Sequence, residues 1–366
     1  MKYKYPNYDE CITNLACSVL KHFGCDYTHN TLKDVDKVLE ENNPKNVIVI
    51  LYDGMGYNLI NRILPEDSFM RQNMLRSYSS VCPATTTAST TSILSGLNPC
   101  EHGWLGWNLY IPPFGKIVTM FTNTLKDKEE QAADYRVADK YYSYKNIIDN
   151  INENGNGKAY IISPYAGIKY DSLDDMINKI VETSQIDGKK YIYAYYEDPD
   201  GLMHQYGTGS EEAKKSFFEI DEVTRKLADR LEDSVLMITA DHGHINTSPI
   251  LISDYKDFND TLDGDIWIEG RFCAFKVKNE EEFLRLFKKY FEKDFLLKTK
   301  EEILKEKIFG DGIEHQYFRD SLGDYFALGI TDKNLKYDEN SHIFMSSHAG
   351  LTEDEMDIPL VLKVKK

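Results

Sequence analysis

No stretch of this sequence approaches the roughly 18 consecutive apolar residues of a membrane-crossing helix, so none is expected. Residues 1–20, MKYKYPNYDECITNLACSVL, lack the roughly 7–15-residue apolar core of a signal peptide, and Asp9 and Glu10 interrupt them. Cysteine is sparse. The six residues Cys11, Cys17, Cys25, Cys82, Cys100 and Cys273 are scattered and form no CxxC pair. Without a secretory signal they read as reduced thiols of a cytoplasmic protein. Positive charge is also short: 43 Lys and Arg stand against 60 Asp and Glu, a formal net charge of -17. A nucleic-acid polymer or an anionic membrane would be repelled by such a surface. A small anionic substrate would not be, provided bound divalent cations invert the local field. There is no internal repeat and no low-complexity linker.

The 42% of hydrophobic residues allow a sizeable core across the 366 positions, as one large α/β domain or two smaller ones. Residues 47–51, 158–163, 190–196 and 235–239 are short apolar or aromatic runs of strand type. Between them, residues 11–22, 172–184 and 210–232 carry helical periodicity, the last two with serine or aspartate at the start. This alternation predicts βαβ units and a largely parallel sheet. From 250 to 340 the pattern changes: a strand at 271–277, a helix at 280–291, a strand then a helix over 295–309, and a strand at 325–330. We expect a smaller α+β subdomain or cap here, inserted into a core formed by 1–249 and 341–366. Short helices are expected over 111–157, and a final strand near 359–364.

Chemistry concentrates where predicted strands end. VLMITADHGH places Asp241 and His242 after one strand, and NVIVILYDGMG places Asp53 after another. KYIYAYYEDPDGLMH places Glu197, Asp198 and Asp200 after a third, with His204 four residues beyond Asp200. HIFMSSHAG adds His348. Taken singly, each has a plainer reading as turn chemistry or a structural histidine. Their recurrence at strand ends, where open α/β sheets bind ligands, favours metal ligation. Neither GxGxxG nor GxxxxGK follows the glycines at 54 and 56, so a nucleotide-cradling loop is the weaker reading. CPATTTASTTSILSG, residues 82–96, supplies five threonines at a predicted helix start. Capping explains one or two of them. A hydroxyl there also sits in positive potential, which favours an alkoxide or a bound phosphate. His102 reads as structural. Trp104, Trp107 and Tyr110 read as packing, with one available to line a pocket. Three histidines and three carboxylates suffice for two divalent cations. Mixed nitrogen and oxygen donors suit zinc, or manganese, better than calcium or magnesium. Two such ions about 4 Å apart can clamp the oxygens of a displacement at phosphorus.

LYDGMG, CPATTTASTTSILSGLNPCEHG, EDPDGLMHQYG, TADHGH and SSHAG together resemble the alkaline phosphatase superfamily, in its type I phosphodiesterase/nucleotide pyrophosphatase branch. The resemblance runs along residues 47–110, 190–245 and 341–366. It implies a three-layer α/β/α core around a central, mostly parallel sheet. It implies one cation held by Asp200, His204 and His348 and another by Asp53, Asp241 and His242. It places the nucleophile, also a ligand of the latter cation, at Thr86. The family's asparagine, which hydrogen-bonds a phosphoryl oxygen, would fall at Trp107; Asn108, one place on, is the candidate donor. The expected activity is hydrolysis of phosphodiester or pyrophosphate bonds in a small phosphorylated substrate. A phosphomonoesterase, phosphomutase or phosphonate-processing relative is the alternative. The absence of CxPxR at Cys82 argues against a sulfatase, and the short segment between Thr86 and Asp200 against a cofactor-independent phosphoglycerate mutase. The lack of arginine between Arg76 and Arg136 disfavours a monoesterase. A non-catalytic metal-binding protein ranks last, because every ligand and the nucleophile are present.

Overall fold

The structure is a computed structural model that describes residues 2–339 and 341–366. Met1 and Asn340, the first residue of the expected core and the last of the expected insertion, lie outside the described residues. The central sheet has six strands in the spatial order Met74–Ser79, Asp357–Lys365, Ser234–Thr239, Asn46–Tyr52, Lys190–Tyr196, Lys158–Ile162. Asn46–Tyr52 pairs in parallel with both its neighbours, and Lys158–Ile162 pairs in parallel with Lys190–Tyr196. Asp357–Lys365 runs antiparallel between its two partners. Every residue of Asn46–Tyr52 and Ser234–Thr239 is buried, which is why these runs are continuously apolar rather than alternating.

Two groups of helices cover the sheet. Ile12–His22, Thr86–Ser95 and Ile147–Asn154 pack together, and Leu173–Ser184 packs with Glu211–Arg230. The last two start where serine predicts. Ser172 accepts from the Asp175 N–H and Ser210 from the Ala213 N–H, each satisfying one of the donors left open in a first helical turn. Phe217, Ile220, Val223 and Leu227 form the buried stripe of the longer helix.

A second sheet is antiparallel throughout. Its seven strands lie in the order Phe295–Thr299, Tyr325–Gly329, Phe272–Phe275, Trp267–Ile268, Asn108–Ile111, Lys116–Thr119, Thr124–Leu125. The smaller layer is therefore wider than the 250–340 segment, because residues 108–125 join it through the pairing of Asn108 with Ile268. The expectation of short helices across 111–157 holds only for Val137–Tyr141 and Ile147–Asn154. Lys116–Thr119 and Thr124–Leu125 are strands too short for alternation to reveal. Helix Glu280–Tyr290 covers one face of this sheet, burying Phe283 and Phe287 against Phe258 and Phe275. Each such ring contributes about 2–3 kcal/mol of transfer free energy. No described helix is long and apolar enough to cross a membrane.

Candidate metal centre

Three adjacent strands deliver the acidic residues because they end level. Leu51 is in register with Thr239 and Tyr52 with Tyr196, so the chain leaves all three strands at one height. The loops beyond are locked to one another. The Asp53 N–H donates to the Tyr196 carbonyl (2.9 Å), the Asp200 N–H to the Asp53 carbonyl (3.1 Å), and the Gly54 N–H to Asp241 Oδ1 (3.0 Å). Glycine is required at 243, where a Cβ would stand 2.0 Å from the Asp354 carbonyl oxygen.

One group of donors comprises Asp53, Asp241 and His242, all buried. His242 Nε2 lies 3.4 Å from Asp53 Oδ1 and 3.5 Å from Asp241 Oδ2. Thr86 Oγ1 completes the figure, 3.4 Å from Asp53 Oδ1 and 3.2 Å from His242 Nε2. Donors bound tetrahedrally at the roughly 2.0–2.1 Å typical of zinc stand about 3.3 Å from one another, so these separations fit one shared ion. Asp241 Oδ2 is fully buried and has no hydrogen-bond partner among the described residues. An orphaned carboxylate oxygen in a dry site is costly unless a cation occupies it. Burial, and then the carboxylates of Asp241 and Asp200, push the Asp53 carboxyl well above its ordinary range, the mark of acids gathered without their counter-charge.

The second group gathers Asp200, His242, His244 and His348. His204 stands beside it, its Nε2 3.5 Å from Asp200 Oδ1 on the helix Asp200–Tyr206, where a four-residue spacing puts the two on one side. The groups adjoin: the His242 and His348 rings stack with centroids 3.7 Å apart. Burial first, then the neighbouring imidazoles, hold His348 well below the usual histidine range. A neutral ring leaves one nitrogen free to ligate. His348 Nδ1 donates to the Ala84 carbonyl, His204 Nδ1 to the Ser346 carbonyl and His242 Nδ1 to the Gly243 carbonyl, so each presents Nε2 to the site. The residues present therefore fit divalent cations in two adjoining positions.

Thr86 is the first residue of helix Thr86–Ser95. The surplus of threonines resolves into separate duties. Thr85 holds the N-cap position, but its hydroxyl donates to Glu269 Oε1 (2.7 Å) instead of capping. Thr90 and Thr91 donate to the carbonyls of Thr86 and Thr87. Two cavities meet at Thr86, Trp107 and Asp200. One, of about 270 Å³, is lined by Asn108, Lys126, Glu269, Lys336, His204 and His348 among others. The other is aromatic, with Phe121, Tyr165, Tyr193 and Tyr195 in its wall. Of the three aromatic residues weighed from the sequence, Trp107 is the one that lines both; Trp104 is buried. Asn108 Oδ1 accepts from Thr119 Oγ1 (2.8 Å), which leaves its amide group as a donor toward the cavity.

His244, Lys126, Glu269 and Lys336 escaped the sequence reading. His244 stood in plain view in TADHGH, two residues beyond a chosen ligand. The others come from segments that carry no motif: Glu269 and Lys126 adjoin strands of the second sheet, and Lys336 ends Lys333–Lys336, which pairs in parallel with Ser248–Leu251.

A profile of the family described as type I phosphodiesterase/nucleotide pyrophosphatase matches residues 47–319. It runs on through 250–319, where the sequence motifs had stopped. No curated protein matches the chain. Among solved structures, murine ectonucleotide pyrophosphatase/phosphodiesterase 5 superposes with a TM-score of 0.66 at 16% identity, covering 86% of this chain and 87% of that one. An inactive variant of the same murine protein, in complex with AMP, gives the same values. Phosphonoacetate hydrolase from Sinorhizobium meliloti 1021, in complex with phosphonoformate, superposes with a TM-score of 0.64 at 16% identity, covering 87% of this chain and 90% of that one.

Proposed function

Since the chain belongs to the type I phosphodiesterase/nucleotide pyrophosphatase family, within the alkaline phosphatase superfamily, and is a metal-dependent hydrolase of phosphate esters, we propose that it cleaves phosphodiester or pyrophosphate bonds of small molecules with Thr86 as nucleophile. Two divalent cations, zinc in preference to manganese, belong to this proposal. Asp53, Asp241 and His242 would hold one, and Asp200, His204 and His348 the other. The observation that carries the reading is the position of Thr86 Oγ1, within 3.2–3.4 Å of His242 Nε2 and Asp53 Oδ1, at a helix start and between two cavities.

When bound, the cations supply charge that favours the ionised threonine hydroxyl and neutralises phosphoryl oxygens. Helix Thr86–Ser95 adds the positive end of its dipole. Thr86 Oγ1 forms its bond to phosphorus as the bond to the leaving oxygen breaks, giving a phosphothreonine ester. Water then attacks phosphorus and frees the hydroxyl. The Asn108 amide, on the cavity wall beside Thr86, is the candidate donor to a phosphoryl oxygen. A diester has two substituents, and two cavities flank the nucleophile. The aromatic one suits a flat ring such as a nucleobase, and the one bearing Lys126 and Lys336 suits a polar or anionic group. That second cavity also favours a second reading, hydrolysis of a phosphonate that carries a carboxylate.

The test compares a 4-nitrophenyl nucleotide diester with 4-nitrophenyl phosphate on protein loaded with zinc or manganese, alongside elemental analysis. Faster turnover of the diester and about two ions per chain are expected. Preference for the monoester, or no bound metal after reconstitution, would overturn the reading.

A further inference from the structure

His244 is wholly buried in the loop that follows Ser234–Thr239. Its Nδ1 lies 3.0 Å from Ser346 Oγ. That hydroxyl has one proton, and it is committed: Ser346 Oγ donates to the Met203 carbonyl at 2.6 Å. Ser346 Oγ can therefore only accept from His244, and the proton of a neutral His244 ring sits on Nδ1. Its Nε2 carries a lone pair, and that lone pair touches Asp200 Oδ1. A carboxylate oxygen is also an acceptor. Two acceptors in contact in a buried site repel one another unless a cation lies with them.

His204, His242 and His348 have the same tautomer, each with Nδ1–H given to a backbone carbonyl. Ser346 sets two of the four rings, through its carbonyl oxygen for His204 and its hydroxyl for His244. Four imidazoles thus turn their Nε2 atoms toward the carboxylates, while the reading above uses three.

We propose that His244 is a metal ligand, a further protein donor to the cation held by Asp200, His204 and His348. The inference rests on the two-cation reading. It makes the two positions unequal. One would have four protein donors, the complement of a closed tetrahedral site. The other would have Asp53, Asp241 and His242, with the position of Thr86 Oγ1 left for chemistry.

The test uses the full chain. His244→Asn retains a donor near Ser346 and removes Nε2. Metal content is measured by elemental analysis after dialysis against chelators of graded strength, and the d–d spectrum is recorded on cobalt-loaded protein. Wild type should retain two ions. His244→Asn should retain one tightly, bind the second about a hundredfold more weakly or worse, and lose intensity in one of the two cobalt environments. Loss of an orienting hydrogen bond alone costs about 10–100-fold in affinity, so the spectra decide. A second measurement needs no variant: nitrogen-15 spectra of histidine-labelled wild type, titrated with zinc. Metal-induced shifts at Nε2 of four histidines, His244 included, are expected. An unchanged cobalt spectrum in His244→Asn, or zinc shifts confined to His204, His242 and His348, would overturn the inference and leave the two-cation reading standing. Wild type that binds fewer than two ions would overturn both.

Discussion

Arg271 and Glu355 meet in a two-pronged ion pair, Nε to Oε1 at 2.6 Å and Nη2 to Oε2 at 2.8 Å, with both side chains wholly buried. Glu355 also accepts from the Gly350 and Thr352 N–H groups and the Thr352 hydroxyl. Arg271 Nη1 donates to the Lys333 carbonyl. The pair clamps the loop after His348 to the second sheet. Arg271→Met strands a buried carboxylate, so we expect a loss of about 3–5 kcal/mol in denaturant unfolding and weaker metal retention. A stability within ~0.5 kcal/mol of wild type would mean that the pair holds nothing in place.

Thr86→Ala removes one oxygen from an open cleft and should keep the fold and the metal content. Diester turnover should fall by about a thousandfold or more. Thr86→Ser should recover part of it, and Thr87→Ala should stay much closer to wild type. Thr85→Ala, which frees Glu269, should cost less than Thr86→Ala. Steady-state rates on one diester, with fold checked by circular dichroism, decide the matter. A Thr86→Ala enzyme at wild-type speed would make water the nucleophile.

Lys336 is the cavity's unneutralised cation. Lys126 is bound by Asp127 and Asp265, whereas Lys336 has no carboxylate within ion-pair distance among the described residues, only the Phe344 ring at 5.5 Å. Burial lowers its pKa from the ordinary lysine value, which again favours a ligand that brings negative charge. Lys336→Met should cut kcat/KM about 10–100-fold for substrates with an anionic leaving group, the loss of one charge-assisted hydrogen bond. For a neutral aryl leaving group the change should be small. Equal losses on both substrates would assign Lys336 to structure.

His102 sets part of the acid limit of stability. Its Nδ1 accepts from the Trp104 N–H, so its Nε2–H donates to Ser92 Oγ. Burial, and then nearby His315, hold it down to about 3. The unfolded chain therefore takes up the proton first as pH falls. The contribution of His102 is complete above about 6.5 and is lost progressively as pH drops toward 3. Between pH 7 and 5 the loss approaches about 2 kcal/mol. His102→Gln should be less stable at pH 7 but should lose less on acidification. Parallel slopes of unfolding free energy against pH in the two proteins would rule this out.

The central sheet and the carboxylates gathered at its strand ends were legible because strands buried on both faces are written as unbroken apolar runs, and these carboxylates stand directly after them. Ser172 and Ser210 announced their helices by local chemistry alone. The second sheet was half legible. Phe272–Phe275 and Tyr325–Gly329 showed themselves, but the hairpin 108–119 joins the sheet through Trp267–Ile268, more than a hundred residues on in the chain, and nothing local encodes that partnership. Glu269, next to Ile268, was hidden for the same reason, and Lys336 because its strand Lys333–Lys336 pairs with Ser248–Leu251, far back in the chain. His244 was hidden differently: its residue type was visible, but its tautomer is set by Ser346, far along the chain.

Strand Asp357–Lys365 lies between Met74–Ser79 and Ser234–Thr239, not at an edge. Both of those strands precede it in the chain, so Met74–Ser79 and one edge of Ser234–Thr239 stay unpaired during synthesis until residues 357–365 have emerged. His348, a ligand candidate, is likewise made after both of them. The nascent polypeptide therefore carries bare strand edges and an incomplete ligand set until that segment has been made. Sheet closure and metal capture become a single late event. A cell making this enzyme has to shield the growing chain first and supply its ions only after residues 348–365 have emerged.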